Sequence, residues 1–92
     1  MEREVSIDSI LKEELKDPEF RREFEIEDIK LKIAVEVFGI RERLGWTQSK
    51  LAQEADVSKS TVTEIESGNN INIETLSKLA TAMGKKLTIN IE

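Results

Sequence analysis

The sequence contains no cysteine and no histidine, and both absences restrict what the chain can do. Without cysteine there is no disulfide and no thiolate ligand, and without histidine the commonest general base and metal ligand is missing. The usual pairs of nucleophile and base are therefore excluded. Acids are plentiful but scattered, with no Asp-x-Asp-x-Asp-Gly loop to bind a cation. We expect a protein that is not an enzyme and that has no cofactor and no metal.

Long apolar runs are also missing from the 92 residues. No charged-then-apolar leader opens the sequence, so we expect neither a membrane span nor a secretory signal. A cytoplasmic protein is the default expectation. A chain of this length supports one small domain, with at most an appendage.

The net charge of -5 is unevenly distributed. Residues 1–29 hold eleven acids and five bases, net -6, whereas residues 30–92 hold eight acids and nine bases, net +1. An acidic segment repels DNA within a Debye length of about 8 to 10 Å, but it suits a basic protein surface. The alternative is a merely solvated face.

The N-terminal part predicts two helices. Residues 6–16 carry an amphipathic stripe with Ser6 or Asp8 as its N-cap, and Asp17 with Pro18 begins a second helix. A stripe of apolar residues continues along this second helix: Phe20, Phe24, Leu31, Val35 and Phe38. We expect a break or bend near residues 25–28, although a continuous helix also fits.

Three shorter helices follow, each with a capping residue and a glycine near its boundary. Gly45 ends the long helix, and Thr47, Ser58 and Asn72 cap the next three, with Gly68 and Gly84 as later stops. The residues expected to face inward are Leu51, Ala52, Ala55, Val62, Ile65, Ile73, Leu76, Leu79, Ala80 and Met83.

The last residues change to an alternating pattern. Leu87, Ile89 and Ile91 alternate with polar residues, which predicts a short strand. A strand needs a neighbour, and no other segment of the sequence has this pattern. The neighbour would be the same strand of a second copy, giving a homodimer, or a sheet edge in another protein. A frayed tail packed on the helices is the alternative.

The middle of the chain meets the requirements of a helix-turn-helix. Such a motif needs a small residue in its first helix, a turn residue tolerating positive φ, and apolar residues at fixed offsets. Ala52 is the small residue, and Val57, Val62 and Ile65 are the apolar ones. Asp56 replaces the usual turn glycine, and it tolerates the left-handed region better than most side chains.

The stretch GWTQSKLAQEADVSKSTVTEIESG resembles the lambda-repressor/Cro class of helix-turn-helix proteins, often called XRE, over residues 33–84. The resemblance implies that Gln48 grips a phosphate and that the recognition helix places its first residues in the major groove. It also implies an ion pair between Arg41 and Glu66. The implied DNA-binding residues are Gln48, Ser58, Lys59, Ser60, Thr61, Thr63, Glu64, Asn69, Asn70 and Asn72.

The chemistry of these side chains suits double-stranded DNA. Lys59 can donate to guanine, Ser60 and Thr63 can donate or accept, and a good base contact discriminates by about 1 to 3 kcal/mol. Glu64 can accept from cytosine or repel phosphate, and we interpret it as a weak selector or a salt-bridge partner. An ordinary solvated helix face is the alternative.

The whole layout of the chain is similar to HigA-type antitoxins. The stretches that carry this resemblance are LKDPEFRREFE before the repressor-like domain and LATAMGKKLTINIE at its end. This resemblance implies that the protein neutralises a basic RelE/HigB-like mRNA-cleaving toxin and represses its own operon. The implied toxin-binding anchors are Ile7, Ile10, Leu11, Leu15, Phe20 and Phe24, ringed by Glu13, Glu14, Asp17, Glu19 and Glu23. Packing of the anchors within the chain is the alternative, as is a stand-alone XRE regulator without a toxin.

The predicted fold is thus mainly α, with a lambda-repressor-like domain, an N-terminal amphipathic extension and one short C-terminal β-strand. We predict a toxin-binding segment at 1–29, a DNA-binding domain at 30–84 and a dimerisation strand at 85–92.

Overall fold

The computed structural model describes residues 12–92. In that range four helices follow one another: α1 (Pro18–Arg43), α2 (Gln48–Ala55), α3 (Lys59–Glu66) and α4 (Ile73–Ala82). Residues 12–14 are also helical and precede a turn. The mainly helical class is confirmed here, but Ile7, Ile10 and Leu11, with most of the predicted first helix, lie outside the described residues. None of the described helices is long and apolar enough to cross a membrane.

Helix α1 is continuous over 26 residues, so the expected break near residues 25–28 does not occur. Its start is as predicted, because the Asp17 carboxylate accepts from the backbone N–H of Glu19 at 3.0 Å and Pro18 follows directly. Residues 25–28 contain neither glycine nor proline, and flanking ion pairs at i,i+4 spacing stabilise this part of the helix. These pairs are Arg21–Glu25 at 3.5 Å and Asp28–Lys32 at 3.0 Å.

The three later caps are confirmed. Thr47, Ser58 and Asn72 each accept a hydrogen bond from the backbone N–H three residues on, at 3.0, 3.1 and 2.9 Å. Each bond satisfies one of the donors that a helix N-terminus leaves free. Gly45 and Gly68 follow helix ends with φ of 72° and 81°, which a residue with a Cβ rarely adopts.

The core lies where α2, α3 and α4 converge, and α1 covers it with Val37 and the partly buried Ile33 and Ile40. Its fully buried side chains are Leu51, Val62, Ile65 and Leu79. Ala52 is buried as expected, and its small side chain permits the close crossing of α2 and α3. Ile73 is the exception among the predicted core residues: it is 63% exposed. As the first residue of α4, it lies before the turn that packs inward.

The predicted C-terminal strand is not present in this single chain. Among residues 12–92 no strand forms, and 85–92 are irregular. Leu87 packs on the core, whereas Ile89 and Ile91 are 62% and 93% exposed. The physical reason is the lack of a partner, since a lone extended segment has no second backbone with which to exchange hydrogen bonds.

Candidate nucleic-acid interface

Helices α2 and α3 are joined by a tight turn of three residues. Asp56 ends α2 with φ 58° and ψ 47°, in the left-handed region that was expected at this position. The N–H groups of both Asp56 and Val57 bond back to the last turn of α2. Ser58 then caps α3. This local chemistry sets the angle at which α3 leaves α2.

Helix α3 has one buried face and one polar face. Val62 and Ile65 are fully buried, and this fixes the rotation of the helix about its axis. The opposite face carries the residues expected to contact DNA, and all of them are exposed or half-buried: Ser58, Lys59, Ser60, Thr61, Thr63 and Glu64. Lys59 is the only cation in α3. The face therefore offers hydroxyl groups and one positive charge.

Three hydroxyl groups meet at the beginning of α3. Ser58 Oγ lies 2.8 Å from Thr61 Oγ1 and 3.1 Å from Ser60 Oγ, and it also accepts from the N–H of Thr61. Ser58 and Thr61, which the resemblance implies are DNA-binding residues, are thus adjacent in space. Hydroxyl groups and free N–H groups at a helix N-terminus suit a phosphate oxygen.

Arg41 and Glu66 form the ion pair that holds α1 against α3. Arg41 Nε donates to Glu66 Oε2 at 2.7 Å and Arg41 Nη2 donates to Glu66 Oε1 at 3.0 Å, so the contact is bidentate. Arg41 Nη1 donates to the Trp46 carbonyl at 2.7 Å. The hydrogen bond to Glu66, with the charges of Glu66 and Glu42 adding to it, raises the pKa of Arg41 above its ordinary value although burial opposes this.

Gln48 connects this ion pair to the polar face of α3. Its Nε2 donates to Glu66 Oε1 at 3.0 Å, and its Oε1 accepts from Thr63 Oγ1 at 2.9 Å. The amide has a second N–H, which leaves the predicted phosphate contact of Gln48 available. This internal role of Gln48 could not be predicted from the sequence, because its partners lie 15 and 18 positions away and no periodic pattern links them.

The loop between α3 and α4 brings together two residues that were expected to act separately. Asn70 Nδ2 donates to Glu64 Oε1 at 2.8 Å, so Glu64 has a neutral partner within the chain. Asn70 has φ 52°, which asparagine tolerates better than most residues. Asn72 uses its carbonyl oxygen as the cap of α4. Asn69 lies exposed in the same loop.

The comparisons with known proteins agree with this geometry. A helix-turn-helix family model matches residues 40–90, which is more than half of the chain. The match includes α2, α3, α4 and most of the tail, and it begins near the C-terminal end of α1. No curated protein matches the chain.

Proposed function

Because the chain belongs to the XRE-type helix-turn-helix family of DNA-binding regulators, we propose that it represses transcription by binding an inverted-repeat operator as a homodimer. Helix α3 would lie in the major groove, with Lys59, Ser60 and Thr63 contacting base edges. The observation that carries this proposal is the exposed polar face of α3, which buried residues and the Arg41–Glu66 pair hold in one orientation.

The charge of the site favours a dimer. A monomer with one cation on its recognition helix gains little from counterion release, so its affinity for DNA would be low. Two copies on an inverted repeat double the contacts, and their symmetry matches that of the operator. We propose that residues 85–92 pair with the same segment of the second copy. Pairing would supply the missing backbone partners and would cover Ile89 and Ile91.

A second candidate function is neutralisation of a basic RelE/HigB-like toxin, with repression of the shared operon. The observation that favours it is the N-terminal half of α1. Phe20 and Phe24 stack there with ring centroids 6.4 Å apart, and exposed acids including Glu19 and Glu23 flank them. Farther along α1, Leu31, Val35 and Phe38 are also exposed. Apolar anchors ringed by charge are typical of a protein interface.

The DNA-binding proposal is tested with the Lys59→Ala/Thr63→Ala variant. The wild-type chain should enrich an inverted repeat from a library of random duplexes, and the variant should lose this preference without a change in far-UV circular dichroism. The matched control is Lys78→Ala/Thr81→Ala, which removes an exposed lysine and an exposed threonine from α4 instead. Retention of the preference by the α3 variant would contradict the assignment of the recognition helix.

The antitoxin proposal is tested by coexpression with a small basic protein encoded next to this gene. The two proteins should copurify and the mixture should lose RNA-cleaving activity, whereas Leu15→Glu, Phe20→Glu and Phe24→Glu together should restore cleavage. The triple variant should still bind the operator, because the packing of α1 on the described core begins at Ile33, beyond the three substituted positions. Copurification unaffected by the three charges would rule out this surface.

A further inference from the structure

We infer that the hydroxyl group of Thr63 faces DNA as a hydrogen-bond acceptor only, and that Thr63 therefore selects a base with an amino group in the major groove, adenine or cytosine. The inference rests on the proposed function, since it concerns what α3 reads. The position of the Thr63 hydroxyl proton is determined by four side chains and one backbone carbonyl group.

The first step is the orientation of the Gln48 amide. Glu66 is held by two hydrogen bonds from Arg41, and a carboxylate can only accept. The group of Gln48 that lies 3.0 Å from Glu66 Oε1 must therefore be the amide nitrogen. The opposite group, which lies 2.9 Å from Thr63 Oγ1, must be the carbonyl oxygen.

The second step is the direction of the Thr63 hydroxyl. A hydroxyl group has one proton and two lone pairs. Among the described residues, its hydrogen-bond partners are Gln48 Oε1 at 2.9 Å and the Lys59 carbonyl oxygen at 3.1 Å. Neither oxygen carries a proton, so Thr63 is the donor in either bond. The proton is thus directed into the protein, and lone pairs remain toward solvent.

The Thr63 oxygen can bind only those groups on the base edges that donate a hydrogen bond. In the major groove adenine N6 and cytosine N4 are donors, whereas guanine N7 and O6 and thymine O4 are acceptors. An oxygen that presents only lone pairs attracts the amino groups and repels the acceptors. Turning the proton outward would leave the half-buried Gln48 carbonyl without its donor, because no other group of residues 12–92 donates to it.

The other hydroxyl groups of α3 do not have this restriction. Lys59 can only donate, and its ammonium group suits guanine. Ser60 has a hydroxyl neighbour, Ser58, with which either atom can be the donor. Thr63 is therefore the residue of this face whose hydrogen-bond polarity is determined by contacts from another helix.

The test uses full-length protein and chemically modified duplexes. The operator is first selected from random duplexes with wild-type protein, and the selection is repeated with Thr63→Val, which keeps the shape and removes the hydroxyl. The position whose base preference changes is the one read by Thr63. At that position the amino group is then deleted, by purine in place of adenine or by pyrimidin-2-one in place of cytosine.

Deleting the amino group should weaken wild-type binding by about 3- to 10-fold, the range for one hydrogen bond, and should change Thr63→Val binding by less than about 2-fold. Thr63→Ser should behave as wild type. Equal losses for wild type and Thr63→Val would overturn the inference, and so would an unchanged selected site for Thr63→Val. A 7-deaza purine lacks the N7 acceptor. If only this substitution at the same position weakened wild-type binding, Thr63 would be a donor, and the inference would be overturned.

Two controls separate the possible failures. Thr81→Val removes an exposed hydroxyl from α4 and should leave the selected site unchanged. Thr63→Ala replaces Thr63→Val if circular dichroism shows that the valine variant is unfolded. If wild-type protein enriches no sequence at all, the proposed function fails and the inference falls with it. An enriched site without dependence on the amino group removes the inference and leaves the proposed function intact.

Discussion

Replacing Glu66 with alanine should lower the stability of the protein far more than replacing Glu42, although both carboxylates contact the guanidinium of Arg41. The side chain of Glu66 is 5% exposed and that of Glu42 is 56% exposed, while that of Arg41 is 8% exposed. Glu66 makes two bonds of 2.7 and 3.0 Å to Arg41, and Glu42 makes one contact of 3.4 Å. The Arg41–Glu66 pair is therefore buried, whereas the Arg41–Glu42 pair has an exposed carboxylate.

The magnitude follows from the charge that each substitution leaves behind. Glu66→Ala strands a buried guanidinium, which destabilises by about 3 to 5 kcal/mol. Glu42→Ala removes an exposed pair and should change the free energy of unfolding by less than about 1 kcal/mol. A domain of this size has a total stability on the order of 5 to 15 kcal/mol. The first substitution thus removes a large part of it.

Urea denaturation measures both variants, with Trp46, the single tryptophan, as the fluorescent reporter. With a slope of about 1.5 kcal/mol/M, the midpoint should fall by roughly 2 to 3 M for Glu66→Ala and by less than about 0.7 M for Glu42→Ala. All proteins are compared at one concentration, because dimerisation would shift the midpoint. Equal shifts for the two variants would refute the reasoning from burial.

A double substitution shows how much of the destabilisation by Glu66→Ala comes from leaving the buried Arg41 without its partner. Arg41→Met with Glu66→Leu removes both charges and keeps much of the volume, so it should be more stable than Glu66→Ala alone. Some loss remains, because Gln48 and the Trp46 carbonyl lose their partners. If the double variant were destabilised by the sum of the two single changes, the residues would not be coupled.

The contribution of this pair should not vary with pH in the neutral range. The pKa of Arg41 is raised in the folded protein, chiefly by its hydrogen bond to Glu66. A cation with a raised pKa contributes stability that is fully present below its unfolded pKa and is lost only as the pH rises through the folded one. Both values for arginine lie far above neutrality. The midpoint difference between Glu66→Ala and wild type should therefore be the same at pH 7 and pH 8.5.

Two further substitutions test the turn and the cap. Residue 56 has φ 58°, which glycine adopts without strain and valine does not. Asp56→Gly should therefore raise the free energy of unfolding by about 0.5 to 1 kcal/mol, and Asp56→Val should lower it by about 1 to 2 kcal/mol. Equal urea midpoints for the two variants would contradict strain at this position. Ser58→Ala should lower thermal stability by about 1 kcal/mol through loss of the α3 cap, whereas Ser77→Ala within α4 should change it little; similar melting temperatures for the two would contradict the cap.

Local chemistry explains which parts of the fold could be predicted. A capping side chain reaches only a few residues along the chain, so Thr47, Ser58 and Asn72 could be identified from sequence. The continuity of α1 was harder to predict, because the apolar pattern changes along this helix, whereas the i,i+4 ion pairs that flank residues 25–28 do not depend on that pattern. The orientation of Ile73 depends on where α4 first packs, and no local signal gives that.

Contacts between helices explain which parts of the candidate site could not be predicted. Arg41 and Glu66 are 25 residues apart, and their pairing was expected only from the resemblance to repressors. The Gln48–Thr63 bond has no sequence signal, since both residues were already assigned to DNA. The predicted tail strand is absent from the described residues, because alternation shows only a tendency to be extended, whereas strand hydrogen bonds require a second backbone.

The acidity of the chain need not oppose DNA binding by α3. Arg41 contacts Glu66 in α3, so distances along α1 from Arg41 estimate how far the N-terminal acids are from the interface. At about 1.5 Å per residue, Glu19 and Glu23 lie roughly 27 to 33 Å from Arg41. Allowing for the single turn between Glu66 and Thr63, they remain at least roughly 20 Å from Thr63, more than two Debye lengths of about 8 Å.

The screened field of these acids is therefore weak at the DNA-binding face of the same copy. If a basic partner covers the start of α1 around Glu19 and Glu23, cancellation of the charge of these two acids alone should leave operator affinity nearly unchanged. A large change in affinity on partner binding would have to act through another element. Since we expect one recognition helix with a single cation to bind weakly, the arrangement of two copies in the proposed homodimer is the element whose change would alter affinity most.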